Sequence, residues 1–131
     1  MSRIVFASAR TDWRTPEDVY ADLNAEFNFD FDPCPADPGF DGLEVEWGKS
    51  SFVNPPYGRE LPKWVAKAHV QADLGKTVVM LIPSRTDTLW WHDHIMAAHE
   101  IRYIKGRLKF QGARWNAPFP SAVVIWRAAG A

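Results

Sequence analysis

Ser51-Phe52-Val53-Asn54-Pro55-Pro56-Tyr57-Gly58 is the stretch that decides how the rest of this chain folds. Residues 51–53 read as a short buried strand. The prolines after Asn54 can neither donate to a β-ladder nor continue into a helix, so the strand must end in a rigid, extended loop. Beyond it, 62–74 predicts a helix, with Trp64, Val65, Ala68 and Ala72 on one side and Gly75 as its stop. Thr77-Val78-Val79-Met80-Leu81-Ile82 is a continuous apolar run closed by Pro83, which suits a strand buried on both faces. Strand, loop, helix and strand in that order predict an α/β sheet whose ligands bind beyond the carboxyl ends of its strands. Asn54 and Ser84 both follow such ends.

Toward the N-terminus, Thr15 suits an N-cap, Pro16 a first helical position and Asp18 the acidic member of a capping box. Val19, Leu23 and Phe27 then form an apolar stripe, predicting a helix to about residue 27. Phe29-Asp30-Phe31-Asp32 alternates and predicts a short strand. Pro33, Pro35, Pro38 and Gly39 impose an irregular loop after it. Residues 4–7 are a short apolar patch, and 41–47 has no assignable type. Toward the C-terminus, 89–98 predicts a helix capped by Thr86, Asp87 or Thr88. Strands are predicted over 101–104, 107–110 and 122–126, with Gly106 between the first two and a polar loop through 115–120 before the last.

A chain of 131 residues suits one domain over 1–131, and a hydrophobic fraction of 47% is enough for a core without a disulfide or metal staple. Cys34 is the single cysteine, so no intramolecular disulfide forms, as expected of a cytoplasmic protein. Cys34 reads as a packed small residue, because no paired base is evident. No basic-then-apolar leader or apolar run near 18 residues predicts secretion or a membrane span. His92, His94 and His99 lack metal-ligand spacing, so no metal is expected. Trp90-Trp91 reads mostly as core. The net charge of -1 is low for a nucleic-acid partner, which leaves segregated charge, weak binding or help from another protein. Most of the acid lies in the first half. Arg102, Lys105, Arg107, Lys109 and Arg114 form the one basic cluster of note.

The residues after the strand carry a specific chemistry. The lone pair of an exocyclic amine is conjugated into its ring and is a poor nucleophile. Acceptors at its two hydrogens pull the nitrogen toward tetrahedral geometry and free the pair. The Asn54 side-chain carbonyl and the Pro55 backbone carbonyl suit those places, and Tyr57 suits a stack on the base. By itself the tetrapeptide equally fits a rigid turn over a buried tyrosine. Arg85, after the second strand, suits either phosphate or substrate contact or a capping loop. Arg107 and Lys109 suit either phosphate contacts beside an extruded base or solvated outward charges.

Taken together, Trp13-Arg14-Thr15-Pro16, Phe31-Asp32-Pro33-Cys34, Asp41-Gly42-Leu43 with Trp47, and Phe52 to Tyr57 resemble the phage-type DNA N(6)-adenine methyltransferases. Residues 81–88 and 106–110 extend the likeness, which runs from about residue 12 to 126. The resemblance implies a reduced Rossmann-like class I methyltransferase sheet with helices on both faces. It implies S-adenosyl-L-methionine as cofactor, a flipped adenine of DNA as substrate, and a host-cytoplasmic protein encoded by a phage or prophage. Asn54, Pro55, Pro56 and Tyr57 would be catalytic. Thr15 and Pro16 would meet the methionine end of the cofactor, and Asp32, Pro33 and Cys34 would form its loop. Asp41 is the candidate for the ribose hydroxyls or the adenine amine. Pro35 to Gly39 replace the glycine-rich turn of larger relatives. Site selectivity would be loose or come from a homodimer. An RNA adenine, a protein glutamine, or an inactive module of the same fold are the alternatives.

Overall fold

Four strands form one mixed sheet in the computed structural model, which describes residues 13–36 and 39–128. They are β1 (Ser50–Val53), β2 (Thr77–Pro83), β3 (Glu100–Tyr103) and β4 (Ser121–Trp126), in the spatial order β1-β2-β4-β3. β1 and β2 are parallel, with Phe52 opposite Val79. β4 runs antiparallel to both neighbours, with Val78 opposite Trp126 and Ile101 opposite Val124. Every residue of β2 and β4 is buried, as expected for central strands whose ladders are filled on both sides.

Among the described residues three helices pack around the sheet: α1 (Glu17–Phe27), α2 (Leu61–Asp73) and α3 (Leu89–His94), the last continued by a 3-10 turn over Ile95–Ala97. Side chains alternate along a strand, so Phe52 and Trp126 project from opposite faces of the sheet. Tyr20 of α1 meets Phe52 edge-on at 5.3 Å, while His69 of α2 stacks on Trp126 at 6.4 Å. His69 Nδ1 also lies 2.9 Å from His94 Nδ1, one ring donating to the other, which ties α2 to α3.

Local chemistry accounts for the helix ends. α1 carries Glu17 and Asp18 in its first turn, where the helix dipole favours acid, and it stops at Asn28, whose φ of 51° permits the left-handed cap. α2 takes Pro62 into its first turn and halts at Gly75, with φ at 95°. Thr88 caps α3, its hydroxyl accepting from the Trp91 backbone N–H at 3.3 Å. The end of α1 is held to the sheet edge by charge. Arg102 forks onto Glu26 at 2.7 Å and reaches Glu100 at 2.6 Å, and Arg127 reaches Glu100 at 2.7 Å. Both guanidinium groups lie over Phe27.

Several expectations are corrected. Phe29 to Asp32 shrinks to a single parallel bridge between Phe31 and Ser51. Residues 107–110 are not a strand. Gly106, with φ at 79°, turns the chain away, β4 takes the place beside β3, and Phe110 is buried against Trp13 and Tyr57. The helix expected over 89–98 tightens into the 3-10 turn after His94. Thr15 caps nothing, and Asp18 accepts from Val19 rather than closing a capping box. Residues 41–44 form a turn, and Trp47 behind it is buried, its indole N–H donating to Gly42 O at 2.8 Å. Residues 4–7, Asp37 and Pro38 lie outside the described residues.

Candidate active site

β1 delivers Asn54 to the wall of a cavity of about 550 Å³, within the range of small-molecule sites. Thr15, Asp32, Cys34, Asn54, Pro55 and Pro56 line it, joined by Trp13, Arg14 and Phe52, quoted above without a site role, and by Glu17, Tyr20 and Gln111. The cavity therefore lies beyond the carboxyl end of a parallel strand, closed by the start of α1 and by the proline loop after Phe31.

Asn54 is held by its nitrogen. Its Nδ2 donates to the backbone carbonyl of Trp13 and, at 3.0 Å, to Thr15 Oγ1. A carbonyl oxygen only accepts, so the amide nitrogen must face Trp13 and the amide oxygen must point the other way. Asn54 Oδ1 is buried and has no hydrogen-bond partner among the described residues. A buried carbonyl without a donor costs roughly 1–3 kcal/mol, so the fold carries an unmatched acceptor beside the cavity lining. Thr15 thus serves the site as an anchor for Asn54 rather than as a helix cap.

Asp32 sits at the cavity with Oδ1 accepting from the Cys34 backbone N–H at 2.9 Å. Partial burial raises its carboxyl above the usual range, and the Cys34 hydrogen bond offsets part of that rise. Burial, with the Asp32 charge beside it, lifts the Cys34 thiol from 9.0 to about 11. A neutral thiol at physiological pH fits the expected packing role. The folded thiol holds its proton more tightly than the unfolded one. Its contribution to stability is therefore complete below pH 9 and is lost as pH rises toward 11. Alkylation of native protein by iodoacetamide should accordingly reach half its limiting rate near pH 11. A midpoint near 9 would show the thiol to be open to water.

Other expected site residues fall elsewhere. Tyr57 is 3% exposed, its hydroxyl donates to Leu81 O at 2.9 Å, and its ring meets Phe110 and Phe119 edge-on. It braces the diproline loop from beneath and presents no face to the cavity, so the expected base stack is absent from this arrangement. Pro16 and Pro33 are buried behind the lining. Asp41 spends Oδ1 on the Leu43 N–H and lies outside the lining. Arg85, Arg107 and Lys109 are exposed and also outside it. Arg85 belongs to the turn before α3, where its carbonyl accepts from Thr88. The imidazoles turn to other partners, His92 to the Thr86 carbonyl and His99 to the Arg127 N–H. Among the described residues no three His, Cys, Asp or Glu side chains are grouped to hold a metal. No helix of the described residues is long and apolar enough to cross a membrane.

Gln111 gave no signal in sequence. Its Nε2 donates to Thr15 O at 2.6 Å and its backbone N–H to Arg14 O at 2.9 Å, closing the rim from the far side. Glu17 and Tyr20 were legible only as positions off the Val19–Leu23–Phe27 stripe.

Fold and site together define a mixed α/β protein with a cavity past a parallel strand, lined in part by Asn54, whose amide oxygen has no partner among the described residues. The chain belongs to the DNA N-6-adenine-methyltransferase (Dam) family, whose model matches residues 4–128. It is similar to the DNA N-6-adenine-methyltransferase of Haemophilus phage HP1 (strain HP1c1), at 35% identity over 106 residues, covering 70% of this chain. That match covers 61% of the relative's length.

Proposed function

We propose that this protein methylates the exocyclic amine of adenine in DNA, using S-adenosyl-L-methionine, as a single methyltransferase domain over 1–131 acting in a host cytoplasm. Asn54 carries the reading: the residue lines the cavity, and its buried Oδ1 has no hydrogen-bond partner among the described residues. Family membership and the relative's name agree with it. The sheet supports a reduced Rossmann-like architecture: β1, β2 and β3 run one way, with β4 reversed between β2 and β3.

The residues present fit the cofactor. Tyr20, Phe52 and Trp13 offer apolar and aromatic wall, and Glu17 and Asp32 offer carboxylates for hydroxyl or amine groups. Glu17 and Asp32 take the part first expected of Asp41. When bound, S-adenosylmethionine supplies an electrophilic methyl group on a sulfonium. Asn54 Oδ1 accepts one N–H of the adenine amine, and the Pro55 carbonyl accepts the other. The proline pair fixes that carbonyl because its backbone dihedrals are preset. With both hydrogens held out of plane by Asn54 and Pro55, the nitrogen lone pair would be freed to take the methyl group that the cofactor supplies. The extra amine proton then passes to water. No base is needed beforehand, so positioning and local electrostatics supply the acceleration.

A duplex adenine reaches Asn54 only by leaving the stack. Arg107 and Lys109, exposed and without a carboxylate partner among the described residues, would take phosphates at the rim. Tritiated methyl transfer to unmethylated DNA, RNA and protein, with product nucleosides identified, tests the reading. The label should appear as N6-methyladenine in DNA, and label confined to RNA or protein would overturn it. Arg107→Ala with Lys109→Ala should flatten the slope of log K against log salt by about 2 while leaving cofactor binding intact. An unchanged slope would remove both residues from the DNA contact.

A further inference from the structure

We propose that the tip of the loop over residues 111–119, Arg114-Trp115-Asn116, is the wedge that enters DNA when the target adenine leaves the stack; this rests on the DNA reading above. Both ends of the loop are fastened to the cavity rim. Gln111 is bonded to Arg14 and Thr15, and Phe119 packs on Trp13 at 5.2 Å and on Tyr57 at 5.7 Å. Ala117 donates to Leu108 O at 2.7 Å, which narrows the base of the loop. Arg114, Trp115 and Asn116 are left in solvent, with Trp115 73% exposed, although Trp47, Trp64, Trp91 and Trp126 are buried. Trp115 lies four positions beyond the cavity-lining Gln111, so its backbone stands within about 14 Å of the rim.

The surroundings select the occupant. No acidic residue follows Glu100 in the chain. Lys105, Arg107, Lys109 and Arg114 have no carboxylate partner among the described residues, whereas Arg102 and Arg127 are consumed by Glu26 and Glu100. On a chain of net charge -1, this excursion between β3 and β4 is the locally cationic surface. The Arg114 guanidinium lies 5.3 Å from the Trp115 ring centroid, so a flat cation and a flat ring are presented together. An apolar protein surface would match the indole and leave four cations unpaired. A nucleic-acid strand matches both, phosphate to the cations and base to the indole. A base rotated into the cavity leaves a gap of aromatic dimensions beside the rim, and an inserted side chain is the usual way to hold such a gap open.

The experiment uses a DNA duplex carrying 2-aminopurine mispaired with cytosine, with binding read by anisotropy, extrusion by 2-aminopurine brightening, and methyl transfer measured on the matching adenine duplex. Wild type should bind and brighten the probe. Trp115→Ala should bind roughly ten-fold more weakly, as expected for one lost stacked base, with little brightening and a matching fall in kcat/KM. Trp115→Phe should recover most of both. Cofactor affinity by calorimetry should be equal in all three proteins, since the residue is at the surface. If wild type methylates DNA and Trp115→Ala binds, brightens and methylates equally well, the wedge is overturned and the function stands. If wild type neither binds nor methylates DNA, the function fails and the wedge with it.

Discussion

Asn54→Ala should lower methyl transfer to DNA by roughly 100- to 1000-fold, the usual scale for deleting one preorganised polar group at a reacting centre. Cofactor affinity should fall much less. The asymmetry follows from the two ends of the side chain. The nitrogen end is engaged inside the protein, on the Trp13 carbonyl and Thr15 Oγ1, and the oxygen end engages none of the described residues. Alanine removes an acceptor from the amine and also an anchor from the 13–15 segment that lines the cavity. Two further variants separate these effects. Thr15→Ala keeps Oδ1 and removes one anchor, at a cost of about 1 kcal/mol, so its rate should fall several-fold rather than hundreds-fold. Asn54→Asp keeps an acceptor on the substrate side but sets a carboxylate oxygen against the Trp13 carbonyl, so it should lose stability as well as rate. Single-turnover transfer with saturating cofactor is the measurement, and equal rates in wild type and Asn54→Ala would end the assignment.

Gly42→Ala should destabilise the fold by about 3 kcal/mol or more, seen as a fall in Tm of roughly 10 °C or more. A Cβ at this position would stand 2.0 Å from Pro33 O, 2.9 Å from Pro33 C and 2.6 Å from the Trp64 ring. None of these can retreat cheaply. Pro33 is buried with a ring-fixed φ, and Trp64 is buried beside Trp47, which itself donates to Gly42 O. Relief would have to come from shifting the loop that holds Cys34 and Pro35 on the cavity wall, so cofactor binding should weaken with stability. Gly39→Ala is the control in the same loop. A Cβ there meets nothing within 4 Å, so Tm should barely move. Equal melting of the two variants would show that residues 33 and 42 do not approach so closely.

Much of the scaffold was written in single stretches of sequence. The Val19–Leu23–Phe27 stripe set α1, the apolar run ending at Pro83 set β2, and the diproline set the loop after β1. In each case the dihedral limits or the burial period of neighbouring residues left little choice. That Asn54 directly follows a buried strand was legible for the same reason.

Partners distant in the chain were not. Alternation at 107–110 looked like a strand, yet Gly106 turns the chain away from β3 and Phe110 is buried against Trp13 and Tyr57 instead of in a ladder. Tyr57 looked available to a base, until the Leu81 carbonyl and two phenylalanines enclosed it. Asp41 looked like a cofactor acid and spent its oxygen on its own turn, while Glu17 and Gln111 reached the cavity from opposite ends of the chain. The sequence by itself determined where strands and helices start and stop, and that a rigid pair of prolines follows Asn54, because those are matters of backbone freedom and local period. Only the tertiary structure decided which polar atoms are satisfied and which, like Asn54 Oδ1, are left waiting, because hydrogen-bond partners and burial are set by residues brought together across the whole fold.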